Sequence, residues 1–274
     1  MTDDRTVAAI DCGTNSIRLL IASASPDGHL IEQTRDLELV RLGQGVDTTG
    51  AFHPDALERT FTACRAFARA ITEHHCDDIR FVATSAARDV SNRDEFFDGV
   101  REALGIDAEV IAGSEEAGLS FAGAMSGIEV SEEPVLVIDC GGGSTELVLG
   151  HGTKIDSQVS LNIGSVRLRE RFLHDDPPTA EQIDEARTYV REMLTECPVD
   201  MATAHTVVGV AGTVTSLSAI NQGLTEYDRA KVHRSVLTAD QVAGLADTLL
   251  ASTVDEVAVS YTHLRAHETL RYLV

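Results

Sequence analysis

Lysine is nearly missing from this chain: only Lys154 and Lys231 occur, and 22 basic against 44 acidic residues leave a net charge of −22. Such a field repels nucleic acid, so no nucleic-acid partner is expected. Most of the acidity reads as a solvated surface tuned for solubility. No apolar run approaches the roughly 20 residues that a bilayer span requires. The start, MTDDRTVAAI, also lacks a basic n-region, so a soluble cytoplasmic protein with no membrane partner is expected. Five cysteines (Cys12, Cys64, Cys76, Cys140, Cys197) form no C-x-x-C pair, and their odd number argues against a disulfide framework. They read as reduced thiols. Cys12 and Cys140, each following an aspartate at a strand end, read as buried packing groups.

What is present is ample: 274 residues, 43% hydrophobic, bury a core without difficulty, and two lobes sharing a cleft are as reasonable as one large fold. Thr6–Ile10 is an apolar run ending at Asp11, followed by the turn Gly13-Thr14-Asn15-Ser16 and a second apolar run, Ile17–Ala22. This predicts strand, glycine turn, strand. Residues 32–42 keep β character, 55–73 show helical spacing, 79–84 return to a strand, and 93–104 form an amphipathic helix capped by Ser91 or Asn92. A short strand at 109–111 and a helix at 115–125 follow. The polar stretch Ser126–Pro134 predicts the lobe boundary, with a first lobe over 1–125 and a second over 126–258.

The second lobe begins as the first did. Val135–Ile138 runs into Asp139-Cys140, then Gly141-Gly142-Gly143-Ser144-Thr145, then the return strand Glu146–Leu149. This is an internal repeat of strand, Asp-Cys-Gly, polar turn and strand. Duplicated lobes facing each other would bring both turns to one cleft. Helices are expected at 179–195, from 213 onward and at 238–251, with a strand at 206–210.

A strand ending in aspartate and followed by a glycine turn presents backbone N–H groups and hydroxyls to an anion, while the carboxylate stands ready for a metal ion or water. Gly13, Thr14, Asn15 and Ser16 make one such candidate, and Gly141, Gly142, Gly143, Ser144 and Thr145 another. Either alone would pass as a hairpin turn; two matching copies argue for phosphate. A third candidate is Gly212-Thr213, where a strand runs into a helix N-terminus, and a plain strand-to-helix connection explains it too. Glu115-Glu116 opens a helix. The pair serves either to complement the helix dipole or to activate a water that attacks phosphorus, and on residue chemistry alone the two readings stand level. Arg18, Arg88 and Arg93, with the alternating Arg167, Arg169 and Arg171, are guanidinium forks suited to phosphate oxygens.

At these residues the sequence resembles the exopolyphosphatase and guanosine pentaphosphate phosphatase family. The matching stretches are Ala9–Leu20, Ala83–Arg88, Ile111–Ala117, Val137–Leu147, Asn162–Leu168 and Gly209–Thr213. The resemblance implies an α/β fold of the actin-like ATPase (ribonuclease H-like) kind, two duplicated lobes with an interlobe cleft. It implies hydrolysis of terminal phosphates from polyphosphate or from guanosine penta- or tetraphosphate, with Mg²⁺ as cofactor. Glu116 would be the base, with Glu115 beside it. Asp139 and Glu146, with Asp11, would be the metal or water-orienting carboxylates, and Arg88 a phosphate contact.

Other classes share these loops. A sugar or acetate kinase of the same superfold would place another catalytic residue at Glu115-Glu116, and a non-catalytic alarmone-binding regulator would keep the cradle without the chemistry. Any self-association is expected to be as a homodimer. The matched stretches end near Asp255-Glu256. From Val259 to Val274 the composition turns to His, Arg and Tyr, which predicts a non-native tail on a second lobe incomplete at its C-terminus.

Overall fold

A computed structural model describes residues 5–25, 30–88 and 90–260; apart from 259 and 260, the segment expected to be a tail lies outside the described residues. The chain divides into two compact units, Met1–Ala112 and Gly113–Val274.

The first unit is built on β1 (Thr6–Cys12), β2 (Ser16–Ala24), β3 (Leu30–Leu39), β4 (Asp78–Ala83) and β5 (Glu109–Val110), in the order β3-β2-β1-β4-β5. The first three strands form an antiparallel meander, and β4 and β5 join in parallel. Two short helices, α1 (Val46–Thr49) and α3 (Ser85–Arg88), flank the longer α2 (Pro54–Glu73) and α4 (Arg93–Leu104). Strand alternation decides the core. Ala8, Ile10 and Cys12 of β1 and Ile17, Leu19 and Ile21 of β2 share the face that meets Leu57, Cys64, Phe67 and Ile71 of α2 and Phe96 and Val100 of α4. Asp11 and Arg18 therefore stand on the other face. Asn92 precedes α4 but makes no side-chain cap; its amide instead pairs with both backbone groups of Phe52.

The second unit begins with α5 (Gly113–Gly127) and a four-stranded sheet of β6 (Val135–Cys140), β7 (Thr145–His151), β8 (Lys154–Leu161) and β9 (Thr206–Val210), ordered β8-β7-β6-β9. Again the first three are antiparallel and the last joins β6 in parallel. After β8 come α6 (Ser165–Phe172) and α7 (Ala180–Thr195), and after β9 come α8 (Ala211–Asn221), α9 (Arg229–Val232), α10 (Ala239–Leu250) and α11 (Val254–Ser260). Capping boxes, Thr179 with Gln182 and Thr238 with Gln241, start α7 and α10. Both faces of this sheet are covered. Leu136, Leu147 and Leu149 pack toward Tyr189 and Met193 of α7. On the reverse, Val135, Val137 and Val148 pack toward Ala117 and Phe121 of α5. Gly150 makes that second contact: a Cβ there would stand 2.8 Å from the Phe121 ring and 2.3 Å from the Lys154 carbonyl.

The units divide before α5, not at the polar stretch 126–134, because the apolar side of α5 packs on the second sheet. The Glu115-Glu116 pair thus sits in the same unit as Asp139 and Glu146. The repeat anticipated in the sequence is realised as two sheets in which the order β3-β2-β1-β4 of the first matches β8-β7-β6-β9 of the second, a duplicated α/β design. Among the described residues no helix is long and apolar enough to cross a membrane.

Candidate active site

Each unit presents the same hairpin head. Gly13 N–H donates to Ser16 O at 2.9 Å in the first, and Gly141 N–H to Ser144 O at 3.0 Å in the second. This fixes register: Asp11 lies directly opposite Arg18, and Asp139 directly opposite Glu146. Directly opposed residues share a face, with Cβ atoms about 4.5–5.5 Å apart.

In the first unit the opposed pair is an ion pair. Arg18 Nη1 stands 3.6 Å from Asp11 Oδ2, both side chains partly exposed. Thr14 is buried, and the Oδ1 of Asn15 is buried with no hydrogen-bond partner among the described residues, as is the Oγ of Ser85. Ser85 follows β4, and Thr84 N–H donates to Cys12 O, so both orphaned atoms lie at the C-terminal edge of the parallel pair β1–β4, where ligands of α/β sheets bind. Arg88 Nε donates to Ile111 O at 3.1 Å, and Arg93 donates to Arg88 O.

In the second unit the opposed pair is two acids. Strand parity puts Asp139 in the row of Val135 and Val137, and Glu146 in the row of Val148, so both carboxylates face α5. Glu146 is 1% exposed, and a buried carboxylate needs partners. Ser160 Oγ, directly opposite on β8, donates to Glu146 Oε1 at 2.7 Å. Ser120 of α5 donates to Asp139 Oδ2. Ser120 lies one helical turn beyond Glu116, so Glu116 shares its side of α5. Glu115 instead shares a side with Leu119, 45% exposed. Helix periodicity thus puts the two adjacent glutamates on different sides of α5.

The remaining candidates divide between donors and scaffolding. Thr145 Oγ1 donates to Ile163 O at 2.7 Å and also lies 3.7 Å from Cys140 Sγ, so both of these partners of that hydroxyl belong to the fold. The carbonyls of Gly141, Gly142 and Gly143 are all taken by α6: Ser165 N–H donates to the first, Val166 and Arg167 N–H to the second, and Arg167 Nε to the third at 3.0 Å. Because residues 165–172 form a helix, Arg167, Arg169 and Arg171 do not share one face as they would on a strand, and Arg171 bonds and stacks on Tyr189. Ala211 adopts φ 69 at the head of α8, just before Gly212. Thr213 reaches Cys140; burial pushes that thiol up, and the hydroxyls of Thr145 and Thr213 oppose the shift.

No three of His, Cys, Asp and Glu among the described residues gather as a metal site. The donor set of the second unit is a pair of carboxylates, each with one oxygen held by a serine. That set suits Mg²⁺, which takes one or two carboxylates and completes its shell with water and substrate phosphate. Asp11 differs, since a cation there would compete with the Arg18 guanidinium.

Comparison with known proteins gives the class. Residues 21–269 match the Ppx/GppA phosphatase family, so the match runs past Glu256 into the segment expected to be foreign. Exopolyphosphatase 2 of Mycobacterium tuberculosis is 48% identical over 257 residues, covering 90% of this chain and 80% of that protein. The crystal structure of an exopolyphosphatase-like protein superposes with a TM-score of 0.92 at 44% identity, over 99% of this chain and 85% of the other. An Aquifex aeolicus family member gives 0.78 at 32%, over 98% and 86%. The chain belongs to the Ppx/GppA phosphatase family. Its reaction class is phosphoanhydride hydrolysis.

Proposed function

We propose that the chain is an exopolyphosphatase that releases terminal phosphate from inorganic polyphosphate, with Glu116 as the base. The observation that carries this reading is the layer in the second unit where Asp139 and Glu146 face α5 and Ser120, one turn beyond Glu116, holds Asp139. The amides that follow Gly141 in the Gly141–Ser144 turn, with Gly212 and with Thr213 beside Cys140, supply donors for phosphate oxygens. In the first unit the turn Gly13, Thr14, Asn15 and Ser16 does the same through the amides that follow Gly13, with Arg18 and Arg88 as guanidinium donors.

In the proposed step Glu116 accepts a proton from water as the water oxygen forms its bond to the terminal phosphorus. The bridging P–O bond breaks, and its electron pair leaves with the shortened chain. Mg²⁺, held by Asp139 and Glu146, would supply charge compensation for the phosphate oxygens. Ser120 and Ser160 orient those carboxylates. Asp11, ion-paired with Arg18, is assigned to orient water or the cation's outer shell. The enzyme is placed in the cytoplasm, where its five free cysteines would stay reduced.

Phosphate release from long-chain polyphosphate, guanosine pentaphosphate and ATP, each with Mg²⁺ and with chelator, tests the assignment. Polyphosphate should be preferred and chelator should abolish release. Preference for guanosine pentaphosphate would move the chain to the other activity of its family, and full activity in chelator would remove the cation from the proposal.

A further inference from the structure

We propose that Val40–Gly43 and Gly164–Arg167 are matched positioning segments that aim the amides of the two glycine turns. The proposal rests on the reading of those turns as phosphate cradles. In a trans peptide the carbonyl and the N–H of the next residue point opposite ways. With the carbonyls of Gly141, Gly142 and Gly143 all accepting from the start of α6, the N–H groups of Gly142, Gly143 and Ser144 must face away from it. Three consecutive amides on one side make an anion-binding concavity. The N-terminus of α6 is not itself that site, because its N–H groups at Ser165, Val166 and Arg167 are already given to the turn.

The first unit reaches the same end with an unrelated backbone. Thr14 O accepts from Gly43 N–H at 2.8 Å, and Asn15 O from Val40 and Arg41 N–H at 3.1 and 2.9 Å, which turns the amides of Asn15 and Ser16 away from that loop. Each segment contains a glycine that must touch its turn. A Cβ on Gly43 would stand 2.2 Å from Thr14 Cγ2, and one on Gly164 would stand 2.3 Å from the Gly142 carbonyl. Each also contains an arginine whose N–H donates to the turn, and Arg41 does so from a left-handed conformation, φ 49, that an L-residue rarely adopts. Two loops of different sequence and secondary structure thus converge on one device: carbonyls gripped from behind, amides presented in front. Arg167 is therefore a positioning residue that works through Gly143 O and not through its charge.

The full-length protein is titrated with inorganic phosphate in the presence of Mg²⁺ while its ¹H–¹⁵N amide signals are followed, for the wild type, Gly164→Ala and Arg167→Lys. Wild-type Gly142, Gly143 and Ser144 should shift saturably. Both variants should weaken the phosphate Kd by about tenfold, the scale of one or two lost hydrogen bonds, with a like loss in kcat/KM for polyphosphate. Gly164→Ala removes no charge and Arg167→Lys keeps it, so a parallel loss identifies positioning. If Gly164→Ala fails to fold, Arg167→Lys decides alone. Wild-type affinity in Arg167→Lys overturns the proposal while leaving the cradle in place. Wild-type turn amides that ignore phosphate overturn the cradle and the proposal with it.

Discussion

The two hairpin heads share a backbone and differ in charge. In the first unit the residue opposite the aspartate is Arg18, and in the second it is Glu146. The cover differs too: the aspartate face of the second sheet lies under α5, whereas on the same face of the first sheet Ala9 is exposed. Duplication supplied one frame with two electrostatic outcomes. A head carrying an ion pair is nearly neutral and suits an anion held by amides and guanidinium, while a head carrying two acids beneath a helix needs a cation. The proposed base, Glu116, belongs to the second unit because α5 packs on its sheet.

The largest expected effect is that of Glu116→Gln, which keeps shape but accepts no proton; kcat for polyphosphate should fall by roughly 10²–10⁴ with KM little changed. A larger loss in Glu115→Gln would reverse the roles that helix periodicity gives the two residues. Next, Glu146→Gln should remove one of the two negative charges of the second head, raising the Mg²⁺ concentration needed for half-maximal activity well beyond any effect on melting temperature. Ser120→Ala should act in the same direction but less, by about tenfold in Mg²⁺ affinity, the usual size for an outer-shell partner. An unchanged Mg²⁺ dependence in Ser120→Ala would detach α5 from Asp139 in function.

The smallest effect concerns the core of the first unit. Burial pushes the Cys64 thiol up from 9.0 to about 12, with Arg65 opposing. The folded state therefore holds a proton that the unfolded state releases above about pH 9, so this thiol's contribution is complete below that pH and is lost as pH rises toward 12. Urea midpoints measured from pH 8 to 11 should fall more steeply for the wild type than for Cys64→Ala. Parallel slopes would show that this thiol does not report on the core.

Much of this was legible in the chain. Val135–Cys140, Thr206–Val210 and Arg93–Leu104 coincide with their predicted ranges, because a short continuous apolar run or helical periodicity was bounded by glycine or a polar turn. The opposition of Asp11 to Arg18 and of Asp139 to Glu146 was available too, since a tight turn at Gly13–Ser16 or Gly141–Ser144 fixes hairpin register. What could not be read depends on tertiary contact. Residues 40–42, predicted to continue β3, leave it to grip the first turn, and α6 went unassigned because its arginines alternate as on a strand. Ser120 and Ser160 are ordinary serines until packing sets them on carboxylates, and the lobe boundary moved because the docking of α5 is decided by Phe121 and Gly150, not by the polar residues after it.

The contrast between the heads is tested most directly by the Mg²⁺ activation curve of polyphosphate hydrolysis for Asp139→Asn and Arg18→Ala. Asp139→Asn should shift the midpoint to higher Mg²⁺ by at least about tenfold, whereas Arg18→Ala should leave the midpoint in place and raise only the KM for polyphosphate. A shifted midpoint in Arg18→Ala with an unshifted one in Asp139→Asn would contradict the division of labour between the two units.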